Sequence, residues 1–379
     1  MKNVVIIGAG RLGKGFVGET FSNSPAWKMT FIDSDPKVID KMNENHYFEV
    51  DVHRADCIEH HIVENFNAYT WEAKECENTI VTSDLIVFVI YPEQIEEAIE
   101  TLSTSLKKRA DTNADKELSI IFITNKNHLM KGIQEKFEAC LDKEHQDWLK
   151  NKVMIRDSII RRSTDADSNV AIQIRTVAVL SLLIQKPLNV DVSDVEWFEL
   201  SDHLEILKDV KVFIVNGPHA ASAFMGHYLG YQTINEIAAD PKGAAFTVNV
   251  AREIKEAILA SFPITEKQLN NLSSFPKAKG EMVDFIYRVA YDPIRKLAKG
   301  DRLVGSALMC YEHDLPYDNI AKAIAYGLLY NNPKDERACE LQDMIRAKGI
   351  EETLTNITGL GLDHPIATSV LHYFNTLRN

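Results

Sequence analysis

The sequence predicts a two-domain α/β chain, with a doubly wound parallel sheet over residues 1–190 and a mostly α-helical domain over 191–379. Three observations carry that expectation. Short β-branched apolar runs alternate with helical patterns through the first half. The first of those runs ends directly in a glycine-rich turn. Beyond about residue 190 strand-like runs thin out, and periodic helical segments punctuated by Gly300, Pro316 and Gly349 take over. A length of 379 residues agrees, being more than one hydrophobic core usually organises.

Residues 4–8 form an uninterrupted apolar run, the pattern of a strand covered on both faces. Residues 29–32 predict a second strand and residues 36–43 a helix. The polar stretch 47–70 leaves room for short strands. Residues 84–90 and 119–124 predict two more buried strands, each followed by a helix. There is no internal repeat, low-complexity tract or long Gly/Ser linker.

Composition excludes several classes. Apolar residues make up 45% and charged residues 26%, which rules out a mostly disordered or fibrous chain. The longest apolar stretches, such as 177–184, fall well short of the roughly 20 residues of a membrane span. No signal-peptide pattern opens the chain, so a cytoplasmic protein is expected. Net charge is −13, from 42 Lys and Arg against 55 Asp and Glu, which repels a polyanion and argues against a nucleic-acid partner. A local Arg/Lys cluster can still hold one small anion. The five cysteines include no Cys-x-x-Cys pair, so neither a disulfide framework nor a zinc site is indicated. His46, His53, His60 and His61 lack a metal-ligand spacing and are expected to satisfy local polar contacts, so no metal is expected.

The first chemical motif is Gly8-Ala9-Gly10-Arg11-Leu12-Gly13, a G-x-G-x-x-G between a strand and a helix. One glycine permits the tight turn, one lets the backbone approach a pyrophosphate, and one lets the helix pack on the strand. The N–H groups at the helix start stabilise the phosphate charge. Asp33 ends the second strand 20 positions after Gly13, where a carboxylate can accept both ribose hydroxyl hydrogens. No arginine sits beside it for a 2′-phosphate, so the pattern predicts a Rossmann-type domain that binds NAD rather than NADP. Asp33 could instead cap the next helix, although Asp35, directly before Pro36, is better placed to do so.

The second constellation is Lys211, Asn216 and His219, at i, i+5 and i+8. On one ideal helix these fall near 0°, 140° and 80°, within one side. Pro218 complicates that geometry, because it breaks a helix interior, so a bend or a new helix start is equally compatible. A lysine of lowered pKa can take an alcohol proton while an amide holds the developing oxyanion. A surface lysine, an asparagine cap and a core histidine would give the same spacing.

Residues 8–18, GAGRLGKGFVG, resemble the pattern G-A-G-x-x-G-(R/K)-G-F-(I/V)-G of the polyol-specific long-chain dehydrogenase/reductase family. The resemblance returns in Asn216-Gly217-Pro218-His219-Ala220, in Gly230-Tyr231-Gln232-Thr233-Ile234, in the stretch 295–303 and in Gly361-Leu362-Asp363, so it spans the whole chain. It implies a metal-independent oxidoreductase with NAD as cofactor. Lys211 would be the acid/base, Asn216 would polarise the reacting oxygen, His219 would orient the substrate, and Asn125 would be a second oxyanion donor. Val153 and Asp157-Ser158 match a further family element, followed by an arginine at Arg162. For Arg161 and Arg162 a solvated pair at a strand end and a substrate role are equal alternatives.

The chain departs from the family at Thr124, where a glutamate is usual, at Arg161, where an aspartate is usual, at Pro218, and at Tyr91, which replaces a small residue near the expected nicotinamide. Its length and the stretch 295–303 resemble the phosphate-using branch. That resemblance implies interconversion of mannitol 1-phosphate and fructose 6-phosphate, with Arg295, Lys296 and Arg302 around the phosphate. Their pairing with Asp292 and Asp301 alone would account for the same residues. The remaining alternatives are a dehydrogenase of another polyol, hexuronate or sugar phosphate, and a non-catalytic NAD-binding sensor. The expected partner is a small sugar phosphate or polyol, with the chain a monomer or homodimer.

Overall fold

A computed structural model of the chain describes every residue except Asn125, Phe275, Lys277, Glu281, Met282 and Asn379. The chain divides into two compact units, the first comprising Met1–Glu205 and Phe275–Glu281, the second Ile206–Ser274 and Met282–Asn379.

Among the described residues, unit 1 contains twelve strands: β1 (Lys2–Ile7), β2 (Trp27–Ile32), β3 (Phe48–His53), β4 (Ile58–Val63), β5 (Phe66–Tyr69), β6 (Leu85–Phe88), β7 (Leu118–Phe122), β8 (Val153–Ile159), β9 (Thr164–Asp165), β10 (Gln173–Val177), β11 (Leu182–Gln185) and β12 (Phe198–Ser201). Eight of them form one sheet in the order β12-β11-β8-β7-β6-β1-β2-β5. From β5 through β8 all neighbours run parallel, as the alternation of strands and helices predicts. Successive side chains leave opposite faces of a strand. Val4 and Ile6 therefore join a core with Phe16, Phe21 and Phe31, while Val5 and Ile7 join another with Phe88, Leu102 and Phe122. Both faces being covered, β1 reads as an unbroken apolar run. Strand order reverses at β1, between β2 and β6, and a crevice opens there at the carboxyl ends of the strands.

The sheet is not wholly parallel. β11 runs antiparallel to β8, and β12 parallel to β11. β12 also lies beyond residue 190, where the sequence predicts helices alone. Its four residues, FELS, carry no apolar run to signal a strand, and it forms by backbone pairing with β11 at the sheet edge. The polar stretch 47–70 resolves into β3, β4 and β5. β3 and β4 then join β10 and β9 in a second, four-stranded sheet of order β4-β3-β10-β9. Phe48, Val50 and Val52 alternate inward from β3, so this sheet buries one face only. The helix expected from Pro36 spans Pro36–Asn45, and the Asp35 carboxylate accepts the Lys37 N–H at 2.9 Å, so Asp35 is its cap.

Among the described residues, unit 2 consists of helices and one isolated bridge between Thr233 and Phe285. Its core gathers Phe224 from helix Asn216–Tyr228, Val250 and Ile254 from Pro241–Ser261, Ile320 and Ile324 from Asp318–Leu328, and Phe374 from Pro365–Arg378. Within it, Thr233 caps helix Ile234–Ala239 through a reciprocal bond with Glu236, which accounts for the threonine of the Gly-x-x-Thr-Ile motif. No described helix is long and apolar enough to cross a membrane.

Arg109, fully buried on helix Ile95–Thr112, holds unit 1 together behind the sheet. Its Nη1 donates to the carbonyls of Ile80, Val81 and Ser83 at 2.8–3.2 Å, and Nη2 to those of Lys116 and Glu117 at 3.1 and 3.0 Å. Burial pushes its pKa down to about 10. These carbonyls precede β6 and β7, so the guanidinium terminates one helix and registers two strands. Arg109→Leu strands several buried carbonyls and is expected to lower unfolding stability by about 3 kcal/mol or more. Urea titration checks this, as a fall in midpoint with the slope unchanged.

Candidate active site

The glycine turn closes the crevice beside β1. Gly8 takes φ +104°, a conformation that L side chains rarely adopt, and its N–H donates to the Ile32 carbonyl at 2.8 Å. A Cβ on Gly13 would collide with the Gly8 carbonyl oxygen, so only glycine lets the helix start against the turn. That helix starts at Arg11, passes through six π-helical residues, Gly13–Gly18, and continues as Glu19–Ser22. Gly10 differs from both. A Cβ there would meet nothing within 4 Å except Asn169 Oδ1, at 3.9 Å, so its open side is free for a phosphate.

Asp33 binds the turn directly. One carboxylate oxygen accepts the Ala9 N–H at 2.7 Å and the other the Asp35 N–H at 2.9 Å. Asp33 therefore stands at the crevice and is not the helix cap. The cleft measures about 800 Å³, and Gly10, Arg11, Asp33, Tyr91, Thr124 and Asn169 are among its lining residues. Gly8 and Leu12 also line it, whereas Ala9 is buried and contributes its N–H to Asp33. Tyr91 is 61% exposed and precedes the turn Pro92–Gln94 after β6. Thr124, in the place of the family's glutamate, accepts the Lys126 N–H at 3.1 Å and so shapes the loop after β7. These groups fit a dinucleotide. Asp33 can take the adenosine ribose, the open face over Gly10 and the helix start the diphosphate, and Tyr91 lies further along the same cleft.

Arg162 is not solvated, contrary to one of the two readings of the Arg161-Arg162 pair. Its guanidinium is buried 4.5 Å from the Phe16 ring and pairs with the equally buried Glu19 at 3.2 Å. Burial pulls its pKa down to about 10 in spite of Glu19. Arg161 is half-buried and donates to the Ser181 hydroxyl at 2.9 Å. The histidines of this region are engaged locally: His60 with Asp51, His61 with Glu19 and Glu59, and His53 with the Lys279 carbonyl. Among the described residues no group of three or more His, Cys, Asp or Glu is placed to hold a metal ion.

In unit 2, Lys211 lies in the last turn of helix Leu204–Ile214, and Asn216 opens helix Asn216–Tyr228. The two helices meet at Val215, so Lys211, Asn216 and His219 do not share one continuous helix. Pro218 falls in the first turn of the second helix, where an N–H has no intrahelical acceptor and its absence costs little. Asn216 and His219 are three residues apart on that helix and share a face. Both are half-buried, as is Lys211. Asp284, which the sequence did not signal, meets His219 Nε2 at 3.0 Å and also pairs with Arg288. Burial raises the Asp284 pKa, but hydrogen bonds from His219 and Arg288 outweigh it and hold the carboxyl below the usual carboxylate range. Asn125 lies outside the described residues.

Arg295, Lys296 and Arg302 lie together, with Asp292 and Asp301 among them. Arg295 Nε pairs with Asp292 at 3.2 Å, and Arg302 Nε with Asp301 at 2.6 Å. Lys296 is buried and donates to the Tyr291 carbonyl. Burial, with Arg302 and Arg295 close by, pulls its pKa down to about 8.

The glycine turn, the Asp33 carboxylate and the parallel sheet beneath them define an NAD-dependent dehydrogenase. Residues 2–194 match the mannitol dehydrogenase Rossmann domain and residues 203–360 the mannitol dehydrogenase C-terminal domain. The chain belongs to the mannitol dehydrogenase family. A mannitol-1-phosphate 5-dehydrogenase of Thermoanaerobacter pseudethanolicus is 28% identical, over 100% of this chain and 98% of that protein. Two solved structures share the fold at low identity. A D-sorbitol dehydrogenase in substrate-free form gives a TM-score of 0.80 at 12% identity, covering 99% of this chain and 93% of that one. The Pseudomonas fluorescens mannitol 2-dehydrogenase, solved as a ternary complex with NAD and D-mannitol, gives 0.64 at 13% identity, covering 100% and 92%.

Asp33→Ala removes the acceptor of two backbone N–H groups along with the carboxylate facing the ribose. It is expected to weaken NADH binding by roughly tenfold or more and to narrow the preference for NADH over NADPH. Fluorescence titration with both cofactors measures each change.

Proposed function

We propose that this chain interconverts fructose 6-phosphate and mannitol 1-phosphate without a metal, unit 1 binding the cofactor and unit 2 supplying the acid/base and substrate groups. The observation that carries this reading is the similarity along the whole chain to a mannitol-1-phosphate 5-dehydrogenase. It is supported by Arg295, Lys296 and Arg302, a cationic group in a chain of net charge −13. Bound NADH supplies the hydride for the ketone carbon. The Lys211 ammonium gives its proton to the ketone oxygen, and in the reverse direction the neutral amine takes the alcohol proton. Asn216 donates an amide hydrogen to the same oxygen as charge develops on it, with Asn125 as the second donor. His219, fixed by Asp284, orients the sugar through a hydroxyl. Arg295 and Arg302 present guanidinium groups to the phosphate, with Lys296 between them as a point charge.

A second reading has one observation in its favour. Asp292 and Asp301 already pair with Arg295 and Arg302, an arrangement that also suits a non-phosphorylated polyol or another sugar. NADH oxidation by the purified protein with fructose 6-phosphate and with fructose, side by side, separates the two. Rapid turnover with the phosphate ester alone is the expected result, and turnover with fructose alone selects the second reading. Lys211→Ala should lower kcat by about 10²–10⁴-fold with NADH binding nearly unchanged. Equal turnover in that variant removes the lysine from the proton transfer.

Lys296 makes the phosphate contact pH-dependent. Its pKa of about 8 in the free protein means that it sheds its proton as pH rises through that value. A bound phosphate dianion favours the ammonium, so binding draws a proton in, and affinity falls as pH climbs through 8. Calorimetry of fructose 6-phosphate binding near pH 8.5, in two buffers of different ionisation enthalpy, should show this proton uptake, and Lys296→Met should lose it.

A further inference from the structure

The loop joining β9 to β10, residues 166–172, reaches back to the glycine turn. Lys14, the residue after Gly13, is 1% exposed. Its ammonium donates to the Asn169 carbonyl at 2.9 Å and the Ala171 carbonyl at 2.7 Å. Burying an ammonium costs several kcal/mol unless its hydrogens are well received. Here two backbone carbonyls of one distant loop receive it, with the Asp33 charge nearby, and burial still pulls its pKa down to about 8. The strand end from which the loop leaves is held beside the turn by Arg11, 3.8 Å from the Asp165 carboxylate.

These tethers set one side chain in a particular place. Asn169 is exposed and lines the dinucleotide cleft, and its Oδ1 is the single atom within 4 Å of where a Gly10 side chain would start. Among the described residues its side-chain amide has no hydrogen-bond partner. The open side of Gly10 is where the diphosphate of a dinucleotide belongs; with no partner fixing Oδ1, the amide turns to present Nδ2–H to a phosphate oxygen on a loop already held in place.

We propose that Asn169 donates its side-chain amide to the diphosphate of the bound dinucleotide, and that Lys14 is the positioning residue that holds Asn169 at the glycine turn. The contact comes from a loop whose Asn169 is 155 residues along the chain from Lys14. It requires only the diphosphate, so it holds for any sugar substrate the enzyme takes.

The test is binding of ADP-ribose, NADH and adenosine, by calorimetry and fluorescence, to the full-length protein. Asn169→Ala should weaken ADP-ribose and NADH by roughly tenfold, the worth of one hydrogen bond to a charged group, and leave adenosine unchanged. Asn169→Asp, which sets a carboxylate against the phosphates, should weaken both by a larger factor. Lys14→Met should cause a loss like that of Asn169→Ala, and the double variant no further loss, because the two residues act as one unit. Unchanged ADP-ribose binding in both Asn169 variants, or an equal loss for adenosine, overturns the Asn169 contact. Additive losses in the double variant overturn the positioning role of Lys14. Asn169 is exposed on a loop, so its two variants decide the first point even if Lys14→Met does not fold.

Discussion

The buried pair Glu19–Arg162 is the constraint on which the nucleotide-binding half depends. Both side chains are essentially out of water, and the two groups meet at 3.2 Å. An unpaired charge at that depth costs several kcal/mol, so neither residue is stable there without the other. Glu19 follows the glycine turn and Arg162 follows β8, so the pair joins the first and last thirds of the domain. The same carboxylate accepts from Asn23 and meets His61 of β4 at 3.0 Å, which brings the second sheet to the helix that carries the cofactor site. Phe16 stacks beneath the guanidinium, and Gly15 lies against Ile174 of β10 without room for a side chain between them. The turn can therefore be thin and rich in glycine, since its rigidity comes from what packs beneath it.

Stability and chemistry are separated along the chain. In unit 1 the apolar strands and Arg109 fix the sheet, and the candidate cofactor groups lie at its carboxyl ends on loops the sheet positions. In unit 2 the acid/base candidates lie at a junction, where one helix ends at Ile214 and the next begins at Asn216. A junction serves this chemistry well. It exposes polar termini, accommodates Pro218, and presents Asn216 and His219 on one helical face with Asp284 behind the histidine.

Local signals were legible in the sequence where period and spacing suffice. Four strands of the main sheet, the glycine turn, the Asp35 cap and the distance from Gly13 to Asp33 all follow from neighbours within a few tens of residues. What was not legible depends on long-range partners. Asp284 lies 65 positions from His219 with no motif linking them, and nothing near Lys14 indicates that its ammonium ends on carbonyls past residue 168. The second sheet was only half visible, because β3 and β4 read as a polar stretch and their partner β10 lies more than a hundred residues on. β12 escaped because an edge strand of four residues needs no apolar run. For Arg161-Arg162 the sequence leaves a solvated pair and a substrate role equally open, and the buried partner Glu19 is what sets Arg162 apart.

The π-helical stretch Gly13–Gly18 gives the motif a fixed length as well as a fixed spelling. A π-turn holds roughly one residue more than an α-turn. Losing one residue here can collapse the π-turn to an α-turn with the following helix kept in phase, whereas gaining one turns everything downstream by about 100°. Glu19 would then face away from Arg162 and Phe16 away from its core. The glycines of such a motif can be exchanged one at a time and each judged by its own clash, but an insertion within it displaces the ion pair and the second sheet together. An inserted residue is therefore better accommodated in the loop beyond Ser22 than inside the motif.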